Sequence, residues 1–258
     1  MTFRLSAAFL TFLAASPVQA QMPSTTTVPA AGGDMVITAL GHASVQLEQG
    51  GKVVLVDPVT NQADLSKAKQ ADLILVTDIH ADHFDPAAIA KLRKPGAPVV
   101  IPPAVAATEK IPDAIVMSNR QMRANEAAPA GVTVISVPAY NITRGPSPGQ
   151  PYHPRERGQG YLLTIGGRLV YVAGDTECVP AMEVMLRRPQ VDVAFMPMNL
   201  PYTMPPAEAA ECVKGFRPKI AIPYHFMGQK PEEFADALKR EPIEVRLLDW
   251  YPKAQSAR

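Results

Sequence analysis

Residues 72–85 read Asp72-Leu73-Ile74-Leu75-Val76-Thr77-Asp78-Ile79-His80-Ala81-Asp82-His83-Phe84-Asp85. The short apolar run over 72–77 predicts a strand buried on both faces. It leads straight into a segment, 78–85, that holds two histidines and three aspartates. Asp85 stands directly before Pro86, the pattern of a helix N-cap followed by proline at the first helical position. A buried strand, a loop rich in metal-binding side chains and a helix in succession predict an α/β architecture with its chemistry at a strand end.

The same pattern continues on either side. Toward the N-terminus, Met35 to Leu40 and Ser44 to Glu48 read as strands, and Gly50-Gly51 as a hairpin turn into a third strand, Lys52 to Asp57. Toward the C-terminus, apolar runs recur at 98–101, 132–137, 169–173, 191–196 and 219–222. Helical patterns near 180–188, 206–215 and 231–240 lie between the later runs. This alternation argues for sheets with helices packed outside them, and nothing requires one parallel sheet. No internal repeat or low-complexity tract is visible. The stretch 139–158 lacks periodicity and holds His153, two tyrosines and three arginines; loops of this length in compact domains are usually functional. It is expected to form a wall of the active site.

Composition bounds the rest. The chain has 258 residues, 47% hydrophobic and 19% charged, with a formal net charge of +1. That balance carries no electrostatic footprint for nucleic acid or an anionic membrane. Its 27 prolines imply many short, defined loops. Arg4, the apolar stretch Leu5 to Ala15 and Val18-Gln19-Ala20 resemble a secretory signal peptide over 1–20. The apolar stretch is shorter than the roughly 20 residues needed to span a bilayer. The expectation is therefore a periplasmic or secreted protein without membrane insertion after signal cleavage. A flexible lead-in is expected over 21–34, one folded domain over 35–253 and a short tail over 254–258. Cys178 and Cys212 could pair in an oxidising compartment, but two free, partly buried thiols are the expectation.

The candidate ligands share one placement. His80 and His83 follow the run 72–77, His153 lies in the loop after 132–137, Asp175 follows 169–173 and His225 follows 219–222. Neutral imidazole and carboxylate are the usual donors to divalent transition metals, with an open water position at catalytic sites. Asp78, His80, Asp82, His83, His153, Asp175 and His225 suffice for two ions. Each also has a plainer reading: Asp82 as a cap, Asp175 as a turn residue, His225 as a core histidine. Their common position after strands favours metal.

Thr77 to His83 resembles the HxHxDH signature of the metallo-β-lactamase-fold hydrolases. Gly41-His42-Ala43-Ser44, Asp57, Gly174-Asp175-Thr176 and His225 stand where the compact ascorbate-phosphate-lactonase-like branch places its other motifs. The resemblance implies a four-layer αβ/βα sandwich with the site in a cleft at one edge of two sheets. It implies that His80 and His153 bind one metal, that Asp82, His83 and His225 bind a second, and that Asp175 bridges them. This chain departs from the pattern at Asp78, which replaces the first histidine. It departs again at Tyr140 and Asn141, where a histidine often ends the third-motif strand; His153 is the nearest substitute.

Two divalent ions are expected, zinc first, with manganese or iron suited to the first site if the harder Asp78 oxygen joins it. Asp82 or Asp175 would orient the nucleophile and take its proton. His42 and Asp57 are expected to position ligands by hydrogen bonds, with Tyr140 and Asn141 beside them. Arg144, Arg155 and Arg157 are expected to hold an anionic group of a small-molecule substrate. The functional expectation is an exported metal-dependent hydrolase of a small ester, lactone or phosphodiester. A β-lactam hydrolase and a non-catalytic ligand-binding module of the same fold are the alternatives.

Overall fold

A computed structural model describes residues 22–124 and 128–251, so the signal-peptide reading of 1–20 and the 254–258 tail lie outside the described residues. The first half of the chain forms a seven-stranded sheet: β1 (Thr25–Val28), β2 (Met35–Gly41), β3 (Ser44–Gln49), β4 (Lys52–Val56), β5 (Leu73–Leu75), β6 (Val99–Ile101) and β7 (Ala114–Val116). The second half forms another: β8 (Met122–Arg123), β9 (Thr133–Ala139), β10 (Gly158–Ile165), β11 (Arg168–Val172), β12 (Val193–Pro197), β13 (Ile220–Tyr224) and β14 (Glu244–Val245). In each, strands pair in chain order. The first four are an antiparallel meander and the last four run parallel. The topology is thus repeated although the sequence is not.

Among the described residues the α-helices are α1 (Pro86–Leu92), α2 (Pro103–Thr108), α3 (Pro180–Leu186), α4 (Pro206–Phe216) and α5 (Pro231–Leu238). All five begin on a proline, where the missing N–H is not needed and φ is already set. Asp85 caps α1 by accepting the Ala88 N–H at 3.0 Å. Strand alternation sorts the first sheet into two cores. Val54, Val56, Leu73 and Leu75 face the second sheet. Val53, Leu55, Ile74 and Val76 pack with Ile89 and Leu92 of α1 and Val105 of α2. With α3 against β9 and α4 against β12, the layers run helix, sheet, sheet, helix. This is the αβ/βα sandwich.

Two expectations are corrected. The 21–34 segment is not simply a flexible lead-in, because Thr25–Val28 pairs antiparallel with Met35–Thr38 as an edge strand. Cys178 and Cys212 are not free thiols: with Cα atoms 5.5 Å apart they form a disulfide that ties the segment after β11 to α4. The fold brings the C-terminal ends of β2, β4 and β5 in one sheet and of β9, β11 and β13 in the other to the residues the sequence singled out.

Candidate metal centre

Sharp turns at strand ends aim the key side chains. His42 after β2, Asp57 after β4 and His225 after β13 have φ of 48°, 47° and 49°. Non-glycine residues rarely occupy this left-handed region, and the strain is often concentrated at functional sites. Beyond β5, Thr77 leaves the sheet and gives Asp57 both its N–H (2.7 Å) and its hydroxyl (2.5 Å). Asp57 in turn accepts from His83 Nδ1 at 2.7 Å, with both side chains fully buried. The far nitrogen of His83 lies 3.3 Å from Asp175 Oδ2.

Asp175 is the centre of the group. His153 Nε2 is 2.9 Å from its Oδ2 and His225 Nε2 is 3.5 Å from its Oδ1. Asp82 Oδ2 lies 3.4 Å from His225 Nε2 and 3.1 Å from His42 Nε2. Donor atoms of His80, His153 and Asp175 lie within 4.8 Å of one another. The same holds for His83, Asp175 and His225, and for His42, Asp82 and His225. Asp175 therefore belongs to two overlapping donor sets.

Burial opposes ionisation of Asp175, but His225 and His83 outweigh it and hold the carboxyl well below the usual range. Burial opposes the charged form of His83 too, yet Asp175 and Asp57 raise it well above an ordinary histidine. Burial lowers His42 and His80, which favours the neutral imidazole a metal needs. His83 Nε2, His225 Nε2 and Asp175 Oδ1 are buried without a hydrogen-bond partner among the described residues. Groups like these are normally satisfied, so their convergence fits a divalent cation. A cleft of about 420 Å³ opens onto them, lined by Gln62, His80, Asp82, Tyr152, His153, Asp175, Asn199, Tyr202 and Met227. A larger groove of about 530 Å³, between α1 and residues 109–113, contains none of these donors.

Residues 36–225 match the β-lactamase superfamily domain. A UPF0173 metal-dependent hydrolase of Aeropyrum pernix is 32% identical over 82% of this chain and 93% of its own length. The chain belongs to the β-lactamase superfamily of metal-dependent hydrolases. A UPF0173 hydrolase of Pelotomaculum thermopropionicum is 31% identical over 83% of this chain and 96% of its own. Among solved structures, a protein described as a metal-dependent hydrolase from Parabacteroides distasonis superposes with a TM-score of 0.78 at 36% identity, covering 88% of this hydrolase and 99% of that chain. A metallo hydrolase from Ignicoccus hospitalis shares the fold, with a TM-score of 0.66 at 22% identity over 83% of this chain and 94% of its own.

These relatives correct the expected export. The family is spread over archaea as well as bacteria, which does not carry a periplasmic or secreted placement, so that placement does not stand. Among the described residues of the hydrolase no helix is long and apolar enough to cross a membrane.

Other expected residues fall elsewhere than anticipated. Asp78 is buried but outside every donor set. Its Oδ1 accepts the His80 N–H at 3.1 Å and lies 3.5 Å from His80 Nδ1, and its Oδ2 accepts from Arg157 Nε at 3.4 Å. Asn141 Oδ1 accepts from His153 at both backbone N and Nδ1, each at 2.7 Å. Tyr140 is not in the cleft; its backbone is bonded to Thr176 and its ring lies under Arg155, 4.5 Å from the guanidinium. The arginines expected to hold an anionic group are not among the residues lining the cleft: Arg144 is paired with Glu208 (2.6 Å) and Glu177 (3.5 Å), Arg157 with Asp78, and Arg155 lies over Tyr140.

Sequence reasoning missed Glu177. It is buried and accepts the backbone N–H groups of Ile142, Thr143 and Arg144, thereby holding the start of the 140–157 loop. Its only advance signal was its place two residues after Asp175. Tyr251, whose hydroxyl lies 2.8 Å from His42 Nδ1, was missed as well.

Proposed function

We propose that the hydrolase binds two divalent metal ions, zinc first among them, and hydrolyses a small ester, lactone or phosphodiester. His80, His153 and Asp175 would hold one ion; Asp82, His83, His225 and Asp175 would hold the other. The observation that carries this reading is the set of buried, unpartnered atoms His83 Nε2, His225 Nε2 and Asp175 Oδ1 around one point. Leaving such a group unpaired costs about 1–3 kcal/mol, a cost that a bound cation removes. When bound, such ions would supply Lewis acidity and lower the pKa of a bound water toward about 7.

The protein groups complete the chemistry. Asp82 is a quarter exposed toward the cleft and accepts from His42, which the Tyr251 hydroxyl anchors on its other nitrogen. Burial works against its charge, but the imidazoles of His225, 3.4 Å away, and His42, 3.1 Å away, hold the Asp82 carboxyl well below the usual carboxylate range. An ionised carboxylate held at one angle can accept a hydrogen bond from the attacking water and orient it. The cleft volume suits a small molecule.

Metal analysis and turnover test the reading together. Purified protein should carry two ions per chain, lose hydrolysis of a panel of esters, lactones and phosphodiesters when stripped by a chelator, and regain it on adding zinc. His83→Ala and His225→Ala should each lose an ion and most activity. Full turnover by metal-free protein would sink the proposal.

A further inference from the structure

The mouth of the cleft has an apolar, aromatic side that metal binding does not explain. Tyr152, from the 140–157 loop, and Tyr202, from the segment after β12, meet edge to face with ring centroids 5.0 Å apart and planes at 70°. Both line the cleft beside Met227. Tyr202 is 44% exposed and Met227 50%, so these large side chains are held partly open to solvent. Exposed apolar surface gathered in a concavity marks a contact site for a ligand.

The backbone that carries the two tyrosines is also held in place. Tyr152 N donates to Arg144 O at 3.2 Å and Tyr202 N to Asn199 O at 2.8 Å, while Tyr202 O accepts from Asn141 Nδ2 at 2.8 Å. A surface already ordered loses little entropy on binding. The charge around it is equally informative. The lining includes no lysine or arginine, and its carboxylates are Asp82 and Asp175. Arg144 and Arg157 are committed to carboxylates, and Arg155 lies over Tyr140. An anionic group remote from the reacting bond would find no side-chain cation there.

We infer that the cleft selects uncharged carbonyl substrates, esters or lactones, whose acyl portion carries an aryl or bulky alkyl group seated on Tyr152, Tyr202 and Met227. This rests on the hydrolytic reading of the same site and narrows it, setting aside substrates with a second anionic group. Tyr152, Tyr202 and Met227 are the specificity-determining residues.

Binding and turnover, measured separately, test it. Three ketones that cannot be hydrolysed serve as calorimetric probes for the metal-loaded protein: benzylacetone, butanone and levulinate. Benzylacetone should bind about tenfold tighter than butanone, with levulinate no tighter than butanone. Tyr202→Ala and Tyr152→Ala should each remove most of that difference, and Tyr202→Phe should keep it. In parallel, methyl hydrocinnamate should be hydrolysed with a lower KM than methyl propanoate or monomethyl succinate, an advantage lost in Tyr202→Ala. Equal binding of the three ketones, or tighter levulinate, would overturn the inference even if every ester were hydrolysed. Tight, tyrosine-dependent benzylacetone binding without hydrolysis of any ester would keep the aromatic subsite and overturn the hydrolytic reading instead.

Discussion

His83, His153, His80 and His42 each meet an oxygen at Nδ1: Asp57 at 2.7 Å, Asn141 at 2.7 Å, Asp78 at 3.5 Å and the Tyr251 hydroxyl at 2.8 Å. An oxygen on one ring nitrogen sets the ring angle; in His83, His153 and His80 it leaves the other nitrogen for the cleft, whereas His42 Nε2 is bonded to Asp82 at 3.1 Å. The two sequence departures from the family pattern thereby gain a physical account. Asn141, standing where a histidine often does, holds the later His153 in its place. Asp78, in place of the first histidine, stands behind His80, and Gly158 comes so close that a Cβ there would lie 2.5 Å from Asp78 Oδ2. Asp78→Asn should therefore weaken metal binding at the His80 set by about 10–100-fold, the usual effect of losing such a support, while the His83 set keeps its ion. Zinc titration by calorimetry checks this; two unchanged affinities would reduce Asp78 to a loop carboxylate. The histidines and aspartates of the cleft were legible because each follows an apolar strand. Glu177 and Tyr251 were not, because their partners are distant backbone and ring atoms that no spacing rule reaches.

The strands divide the labour between their two ends. C-terminal ends carry the cleft, and the opposite end of the second sheet is tied by Asp192, which accepts Leu169 N at 2.9 Å, Lys219 Nζ at 2.8 Å and Arg168 Nη1 at 3.3 Å. One carboxylate thus joins the starts of β11, β12 and β13. Partial burial raises its cost of ionisation, but Lys219 and the Leu169 N–H outweigh this and lower the Asp192 pKa. A carboxyl depressed in the folded state adds stability that is full above its unfolded value, about 3.9, and is lost as pH falls through the lower folded value. Asp192→Asn should accordingly cost about 1–2 kcal/mol at neutral pH, and urea midpoints of variant and wild type should converge in acid. A gap that stayed constant with pH would show that charge is not what binds these strands. The inner parallel strands β5, β6, β12 and β13 were readable because burial on both faces makes them continuous apolar runs, whereas the half-exposed edge strands β7 and β14 were not. β1 escaped notice as a threonine-rich edge, and β10 because its opening Gly158-Gln159-Gly160 reads as loop, though both glycines admit close backbone neighbours.

Across the whole molecule the cleft draws on both repeats of the topology: His42, Asp57 and residues 78–83 come from the first, and Asn141, His153, Asp175 and His225 from the second. Its geometry therefore depends on how the two sheets pack, and the apolar core between them is what fixes it. The Cys178–Cys212 disulfide lies wholly in the second half and closes a separation of 34 residues. By the chain-entropy relation a crosslink of that length stabilises by about 4 kcal/mol, chiefly by restricting the unfolded chain. Replacing both cysteines with alanine should lower the melting temperature by about 8–15 °C for a protein of this size. The metal centre should survive in the folded variant. Cys178 is three residues from Asp175, but Thr176 and Glu177 between them are fastened independently to Tyr140 and to residues 142–144. Stability and metal content thus separate the two roles: a lower melting temperature with unchanged metal content is expected. Loss of metal from variant protein that is still fully folded would mean that the crosslink, and not the Thr176 and Glu177 contacts, holds Asp175 in the cleft.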